Sequence, residues 1–338
     1  MADVAITAAK SLFIVLLVVQ VMGLGVFFER KVSALIQDRI GANRAAILGF
    51  AGLGLVNTLV ADPIKFLLKE DVVLAGTDHL LHFLAPVLSL VPVLVTFAVV
   101  PFGDVLQVGG RTINLQAAEL NVGILYVLAM VSLGVYGVVL GGWASNNRWS
   151  LLGGIRGSAQ MISYEIAMGL ALVAVVVTYG TLDLQEMARA QGHLLWGWLP
   201  AWGILYQPVA CLIFMTAGVA ESKRIPFDLP ESEPELVSGY FTEYSGAKHL
   251  MFMMSDFVEV VLVAALALPS SAVALLQVTS FAVKLVFFTW LQIVIRWTLP
   301  RFRYDQLMRL GWQGLLPVAL ANVVVSALVI VLAAGPAA

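Results

Sequence analysis

The chain has 338 residues, of which 60% are hydrophobic and 12% charged, with a formal net charge of −2. A soluble domain carries about 25% charged residues, so this chain lacks the polar surface to fold in water and its composition asks for lipid as solvent. The single cysteine, Cys211, excludes an internal disulfide, a CxxC redox pair and an iron–sulfur cluster, which needs about four thiolates.

A hydrocarbon core of about 30 Å takes about 20 apolar residues in helical conformation. Windows of that kind fall at residues 5–28, 79–100, 119–141, 157–179, 201–220, 250–268, 274–296 and 314–334. Their apolar character is continuous, without strand-like alternation, which favours helices over a β-barrel. The first run has no small-residue cleavage site before Glu29 and reads as a span, not a signal peptide. The expectation is an all-α, polytopic bundle of eight transmembrane helices forming one membrane domain over residues 1–338. His79, His82, His193 and His249 all lie near the ends of apolar runs, which argues against a haem held between facing helices.

The connections 29–78, 142–156, 221–249 and 297–313, with Arg296 at the end of the seventh run, hold 15 of the 19 basic residues. Lys10, Arg111 and Arg189 fall on the other side and Lys284 within a run. The positive-inside rule then places these four connections in the cytoplasm (or the matrix, if organellar) and both termini opposite. In the first connection, Leu53, Val56, Val60, Ile64 and Leu67 recur at helical spacing, with Thr58, Asp62, Lys65 and Lys69 on the opposing face. That pattern predicts an amphipathic helix in the interface plane, kinked or broken at Pro63. A helix packed only on neighbouring protein is the competing reading.

Charges within the apolar runs are costly and suggest a pathway. Glu119 begins the third run, Glu165 lies in the fourth, Asp256 and Glu259 share one face of the sixth, and Lys284 lies in the seventh. A hydrated proton path accounts for the set; an interhelical ion pair, such as Lys284 with Asp256 or Glu259, competes for any single member. The connection after the fifth run carries Glu221, Asp228, Glu231, Glu233, Glu235 and Glu243 against Lys223 and Arg224. A solvated loop would explain the charges alone. It would not explain the interleaved Phe227, Leu229, Leu236, Val237, Tyr240, Phe241 and Tyr244, nor the shape imposed by Pro226, Pro230 and Pro234. Crowded, dehydrated carboxylates gain proton affinity and titrate as a unit.

The stretch 224–246, RIPFDLPESEPELVSGYFTEYSG, resembles the signature loop of the H-type membrane subunit of complex I, the proton-pumping NADH:quinone oxidoreductase of respiratory chains. Four further blocks resemble the same family. They are Glu29–Lys31 with Gln37–Arg44, Ala61–Lys65 with Lys69–Asp71, Ser145–Arg156 with Ser163–Glu165, and Leu299–Met308. Together they run in family order from about residue 29 to 311. The resemblance implies a bundle of eight, sometimes nine, helices that takes quinone from the lipid between span one, the interfacial helix and span six. It implies a quinone chamber lined by Glu29, Arg30, Arg39, Asp62 and Lys65. It also implies an acidic proton relay of Glu165, Glu221, Asp228, Glu231, Glu233, Glu235, Glu243 and Asp256.

By the same resemblance the substrate is a quinone such as ubiquinone, and the chain binds no haem, flavin, iron–sulfur cluster or metal. Its implied partners are the hydrophilic-arm subunits carrying the terminal iron–sulfur cluster, the small membrane subunits, the antiporter-like subunits, and lipid, with no nucleic acid. The location is the bacterial inner membrane, with the termini on the periplasmic side. The sequence contains no nucleophile–base pair, zinc-ligand pattern or phosphate-cradling glycine loop, so no autonomous catalytic residue is expected and NADH binds elsewhere. Two departures bear on chamber width: Ala42 stands where the family usually has proline, and Pro63 where many relatives have alanine. The competing readings are a related membrane subunit of an energy-converting hydrogenase or of a ferredoxin- or F420-linked dehydrogenase, and, from another class, a stand-alone cation or proton transporter.

Overall fold

The computed structural model describes residues 2–41, 54–108, 111–192, 194–195, 199–267 and 274–334. Ala42, Asn43, Arg44, Leu53 and His193 therefore lie outside the described residues. The main helices are α1 (Ala2–Ile36), α2 (Asp62–Leu68), α3 (His79–Thr96), α4 (Gly123–Ala144), α5 (Arg148–Tyr179) and α6 (Leu184–Ala190). They continue with α7 (Pro208–Glu221), α8 (Gly246–Ala267), α9 (Ala274–Thr298), α10 (Tyr304–Arg309) and α11 (Leu316–Ala334). Seven helical segments among the described residues are long and apolar enough to cross a membrane, the last running from α10 through a π-helical segment, Leu310–Leu315, into α11. The protein is thus a polytopic helix bundle.

The predicted fifth span is the exception. Its helix, α7, has 14 residues, or about 21 Å of rise against a core of about 30 Å. Pro208 starts it and a four-residue turn, Gly203–Tyr206, precedes it. Two other boundaries move for local reasons. Helix α1 continues past Phe28 to Ile36, keeping Glu29, Arg30 and Ser33 on a rigid support. Helix α5 starts at Arg148, where the Asn147 side chain accepts from the Trp149 backbone N–H, and ends at Gly180 in the left-handed conformation. A two-stranded hairpin, β1 (Val105–Val108) with β2 (Arg111–Asn114), closes the end of the bundle remote from the acidic loop.

Small residues bring the helices close. A Cβ on Gly137 of α4 would lie 2.6 Å from the Ser89 nitrogen of α3, and one on Gly142 would lie 2.6 Å from the Ser150 carbonyl of α5. Without a hydrophobic driving force between helices in lipid, such close contact supplies the dispersion that holds them. One core joins α1, α3, α4, α8 and α9 around Val18, Val93, Val131, Val258 and Phe281. Another joins α5, α7 and α11 around Ala167, Ala171, Ile213, Ala217 and Ala319. The outer faces, Val324, Leu328 and Val331 of α11 among them, remain apolar and exposed.

The expected amphipathic helix is helical throughout residues 54–68 but changes its winding before Pro63: a π-helical segment, Asn57–Ala61, runs directly into α2, which holds Pro63 in its first turn. Val56, Val60, Ile64 and Leu67 point outward. Thr58 is buried and Asp62 meets Arg30 at 2.9 Å. Among the described residues nothing covers this part of the apolar stripe.

Candidate functional site

All four connections rich in basic residues meet at one end of the bundle. Arg30 pairs with Asp62, Arg156 with Glu235 at 2.6 Å, Arg301 with Asp228 at 2.6 Å, and Lys248 with Asp71 at 2.8 Å. The acidic loop runs through the middle of them. Phe227, Leu229, Leu236, Tyr240 and Tyr244 are buried, so the interleaved apolar residues do bury a face. Tyr240 packs edge-on against Phe252 of α8, and the Phe302 N–H donates to the Pro226 carbonyl at 3.0 Å. At Gly239, φ is +61° and a Cβ would lie 1.7 Å from the Pro230 carbonyl oxygen, so only glycine closes this loop.

Under the loop lies a cavity of about 900 Å³. One wall is the end of α1, with Glu29, Arg30, Ser33 and Arg39 just beyond it; another is the loop, with Lys223, Arg224, Asp228 and Glu231. Met253, Asp256 and Phe257 of α8 and Arg296 and Trp297 of α9 complete it. Glu29 accepts from Arg224 at 3.0 Å and pairs also with Arg296. The Arg224 guanidinium lies 3.7 Å from the centre of the Phe257 ring, a cation–π arrangement. The cavity thus combines apolar and aromatic surface with fixed charges of both signs.

Two carboxylates of the loop, Glu231 and Asp228, have raised proton affinity. Burial raises Glu231 well above the ordinary glutamate range, and the neighbouring Asp256 and Asp228 charges add to it. Burial also raises Asp228, although the Arg301 guanidinium opposes the shift. Burial disfavours a charged Lys223, but Asp256 and Glu259 outweigh it and the ammonium is held more firmly than usual.

Inward from the cavity the carboxylates continue. The wholly buried Lys223 ammonium bridges Asp256 at 2.9 Å and Glu259 at 3.1 Å. Asp256 lines the cavity, whereas Glu259 and Glu221 line a separate small void between α4, α5, α7 and α8. Both Glu221 oxygens are buried without a hydrogen-bond partner among the described residues. Glu259, Glu165 and Lys223 are the charges it feels, and Glu165 in turn accepts from the Ser132 hydroxyl of α4. Among the described residues no cluster of His, Cys, Asp and Glu is placed to hold a metal ion.

Residues 9–327 match the NADH dehydrogenase family. The chain is 46% identical over 329 residues to the second H subunit of NADH-quinone oxidoreductase in Geobacter sulfurreducens, covering 96% of each. It is 45% identical to the first H subunit of the same enzyme in Geobacter metallireducens, covering 98% of each. It is 44% identical to the first H subunit in Cytophaga hutchinsonii, covering 90% of this chain and 91% of the relative. The chain belongs to the family of H subunits of NADH-quinone oxidoreductase. It is a membrane subunit of that translocating enzyme.

Within this family member, the sequence-predicted residues separate into groups. Glu29, Arg30 and Arg39 line the cavity; Asp62 reaches it only through Arg30, and Lys65 is exposed outside it. Asp228, Glu231 and Asp256 line the cavity, and Glu221 and Glu165 lie inward. Glu235 is exposed on the outer side of the loop, Glu243 is held by the Asn147 amide at 2.5 Å, and the Glu233 side chain lies outside the described residues. Sequence reasoning missed Lys223, Arg224, Arg296 and Arg301 as site residues, and it counted Glu259 among the charges of a proton path without giving it a place in the relay. The cation at Asp256 and Glu259 is Lys223 from the loop, while Lys284 lies 5.3 Å from the Trp202 ring centre. The available signal was Glu259, three residues from Asp256 on the same helix face.

Proposed function

We propose that the cavity is the part of the quinone chamber built by this subunit, and that the carboxylates running inward from it carry protons into the membrane domain. The observation that carries this reading is the continuity of the two. A cavity with an apolar and aromatic wall suits a quinone ring and tail, and its floor carboxylate, Asp256, is bridged by one ammonium to a carboxylate of the inner set. Reducing a quinone to a quinol takes up two electrons and two protons, and electrons arriving ahead of the protons place negative charge beside Glu29, Asp228, Glu231 and Asp256. Their proton occupancy answers that change as a coupled unit. Glu259 and Glu221 then pass it to Glu165, on the α4–α5 side. Glu233, Glu235 and Glu243 belong to the same acidic loop; Glu235 and Glu243 hold its position through Arg156 and Asn147.

In this reading the bundle is a single membrane domain of eight spans, α7 being a short one, and the exposed stripe of Val60, Ile64 and Leu67 lies in the headgroup layer. Quinone enters between α1, the Asn57–Leu68 segment and α8. The basic end faces the cytoplasm of a bacterial inner membrane, with the termini periplasmic. The soluble arm docks there, bringing the terminal iron–sulfur cluster, while the small and antiporter-like membrane subunits receive the protons. The names of the relatives, as H subunits of NADH-quinone oxidoreductase, support the quinone and the partners.

The test is purification of the tagged chain from native membranes in mild detergent, with proton pumping measured after reconstitution of wild type, Glu165→Gln and Asp256→Asn. Flavin and iron–sulfur subunits should co-purify with inhibitor-sensitive NADH–quinone activity, and both variants should lose pumping. Assembled variants with full rate and full pumping would remove the relay assignment. Recovery with a hydrogenase subunit, or alone with ion flux in liposomes, would overturn the enzyme assignment.

A further inference from the structure

Lys223 is the least expected residue of the site. Its side chain is wholly buried, which a lysine tolerates only when paired. Its backbone sits at φ +53°, a conformation uncommon for a residue with a Cβ and stored where the surroundings impose it. The strain aims the side chain inward from the end of α7, between two carboxylates that share one face of α8. One of them, Asp256, lines the large cavity; the other, Glu259, lines the inner void with Glu221. Arg224, the next residue, points elsewhere, onto Glu29 and the Phe257 ring. The ammonium therefore stands at the one link between the cavity charges and the inner charges that the described residues provide.

We propose that Lys223 is a positioning residue for proton passage: its ammonium holds the boundary between the cavity and the inner carboxylates, and a proton crosses when the ammonium shifts its pairing between Asp256 and Glu259. This rests on the relay reading above and specifies its gate. A proton arriving from the cavity neutralises Asp256, and Lys223 then pairs with Glu259 alone. When that proton is handed to Glu259, the ammonium returns to the bared Asp256. Glu259 releases the proton toward Glu221. Lys223 keeps its own three hydrogens throughout, so one proton moves inward and no charge is left over. The 2.9 and 3.1 Å contacts put both pairings within a small side-chain movement. A fixed structural cation would be served as well by one partner.

The experiment uses the assembled enzyme in native membranes and in proteoliposomes, comparing Lys223→Met, Lys223→Arg and Lys223→Gln. Blue-native electrophoresis and NADH oxidation by an artificial acceptor report assembly, separately from quinone reduction and pumping. Lys223→Met is expected to lose pumping. An opposite charge at this distance moves a carboxylate by about 1 to 3 pH units, so the acidic limb of its residual pH–rate profile should lie about a unit or more higher. Lys223→Arg should restore pumping in part and return the profile. If Lys223→Met fails to assemble, Lys223→Gln, whose amide still donates to a carboxylate, decides, and it should assemble without pumping. Assembled Lys223→Met, or Lys223→Gln in its place, with wild-type pumping and profile would overturn the inference. If Asp256→Asn also pumped normally, the relay itself would fall; if Asp256→Asn did not pump, only the gate would.

Discussion

Two aspartate–arginine pairs, at opposite ends of the bundle, have nearly the same geometry and opposite chemistry. Asp104 meets Arg189 at 2.7 Å near the hairpin, and Asp228 meets Arg301 at 2.6 Å beside the cavity. The Asp104 carboxylate is 36% exposed and its partner 52%, against 11% and 26% for Asp228 and Arg301. The hydrogen bond from Arg189 holds Asp104 below the usual aspartate range. Loss of hydration lifts Asp228 above it despite its own arginine. Proximity to a cation does not fix the direction of the shift; burial decides which effect wins. Surface pairs like the first are worth about 0–1 kcal/mol. A buried pair stabilises little overall, while breaking it leaves one charge stranded. The concentration of buried pairs at one end is therefore poor design for stability and sensible design for moving charge.

Breaking the inner pair should have the largest effect. Arg301→Ala leaves Asp228 buried without its guanidinium and also removes the 3.1 Å bond to the Ser232 hydroxyl. Losing one partner of a buried pair costs about 3 kcal/mol or more, and the partial exposure of Arg301 sets the expectation at the low end. The check is denaturant titration of the purified complex in detergent, followed through loss of this subunit. A change below about 1 kcal/mol, the surface-pair value, would erase the distinction between the two ends.

The pair between Arg156 and Glu235 is intermediate, with Glu235 55% exposed. Glu235→Gln keeps the loop buried on its apolar face and removes only an outer tether. It should cost less than about 1 kcal/mol and lower quinone reduction far less than Asp256→Asn does. Equal losses in the two variants would move Glu235 into the proton path itself.

How much of this was legible in the sequence follows from the range of the interactions. Seven long helices were readable because span length is a property of one continuous run. The short α7 was not, because Trp202, Ile204 and Leu205 continue the apolar run while Pro208 restarts the helix. The acidic loop's buried face was readable from Phe227, Leu229 and Tyr240 among the acids. The partner of Asp256 and Glu259 was not, since Lys223 lies 36 positions from Glu259 and arrives only through the packing of α7 on α8. Sequence also could not separate Glu235 from Glu231, four residues apart in one motif. Which of them faces the cavity depends on the turn that Pro230 and Gly239 close together.

The smallest effect, and the one that tests the sign of the comparison, belongs to pH. Asp104 is held below its unfolded value, so its pairing contributes stability above the ordinary aspartate range and loses it as pH falls through the depressed value. Asp228 and Glu231 are raised, so the folded protein keeps protons that the unfolded chain has released. Their contribution is fully present at low pH and shrinks as pH rises from the ordinary carboxylate range through the raised values. Asp104→Asn should therefore flatten the acid side of the stability curve by less than about 1 kcal/mol. Asp228→Asn should flatten the decline toward neutral pH and leave the acid side alone. Stability of the two variants measured against pH would separate these cases, and the same change in both would mean that burial does not distinguish the two aspartates.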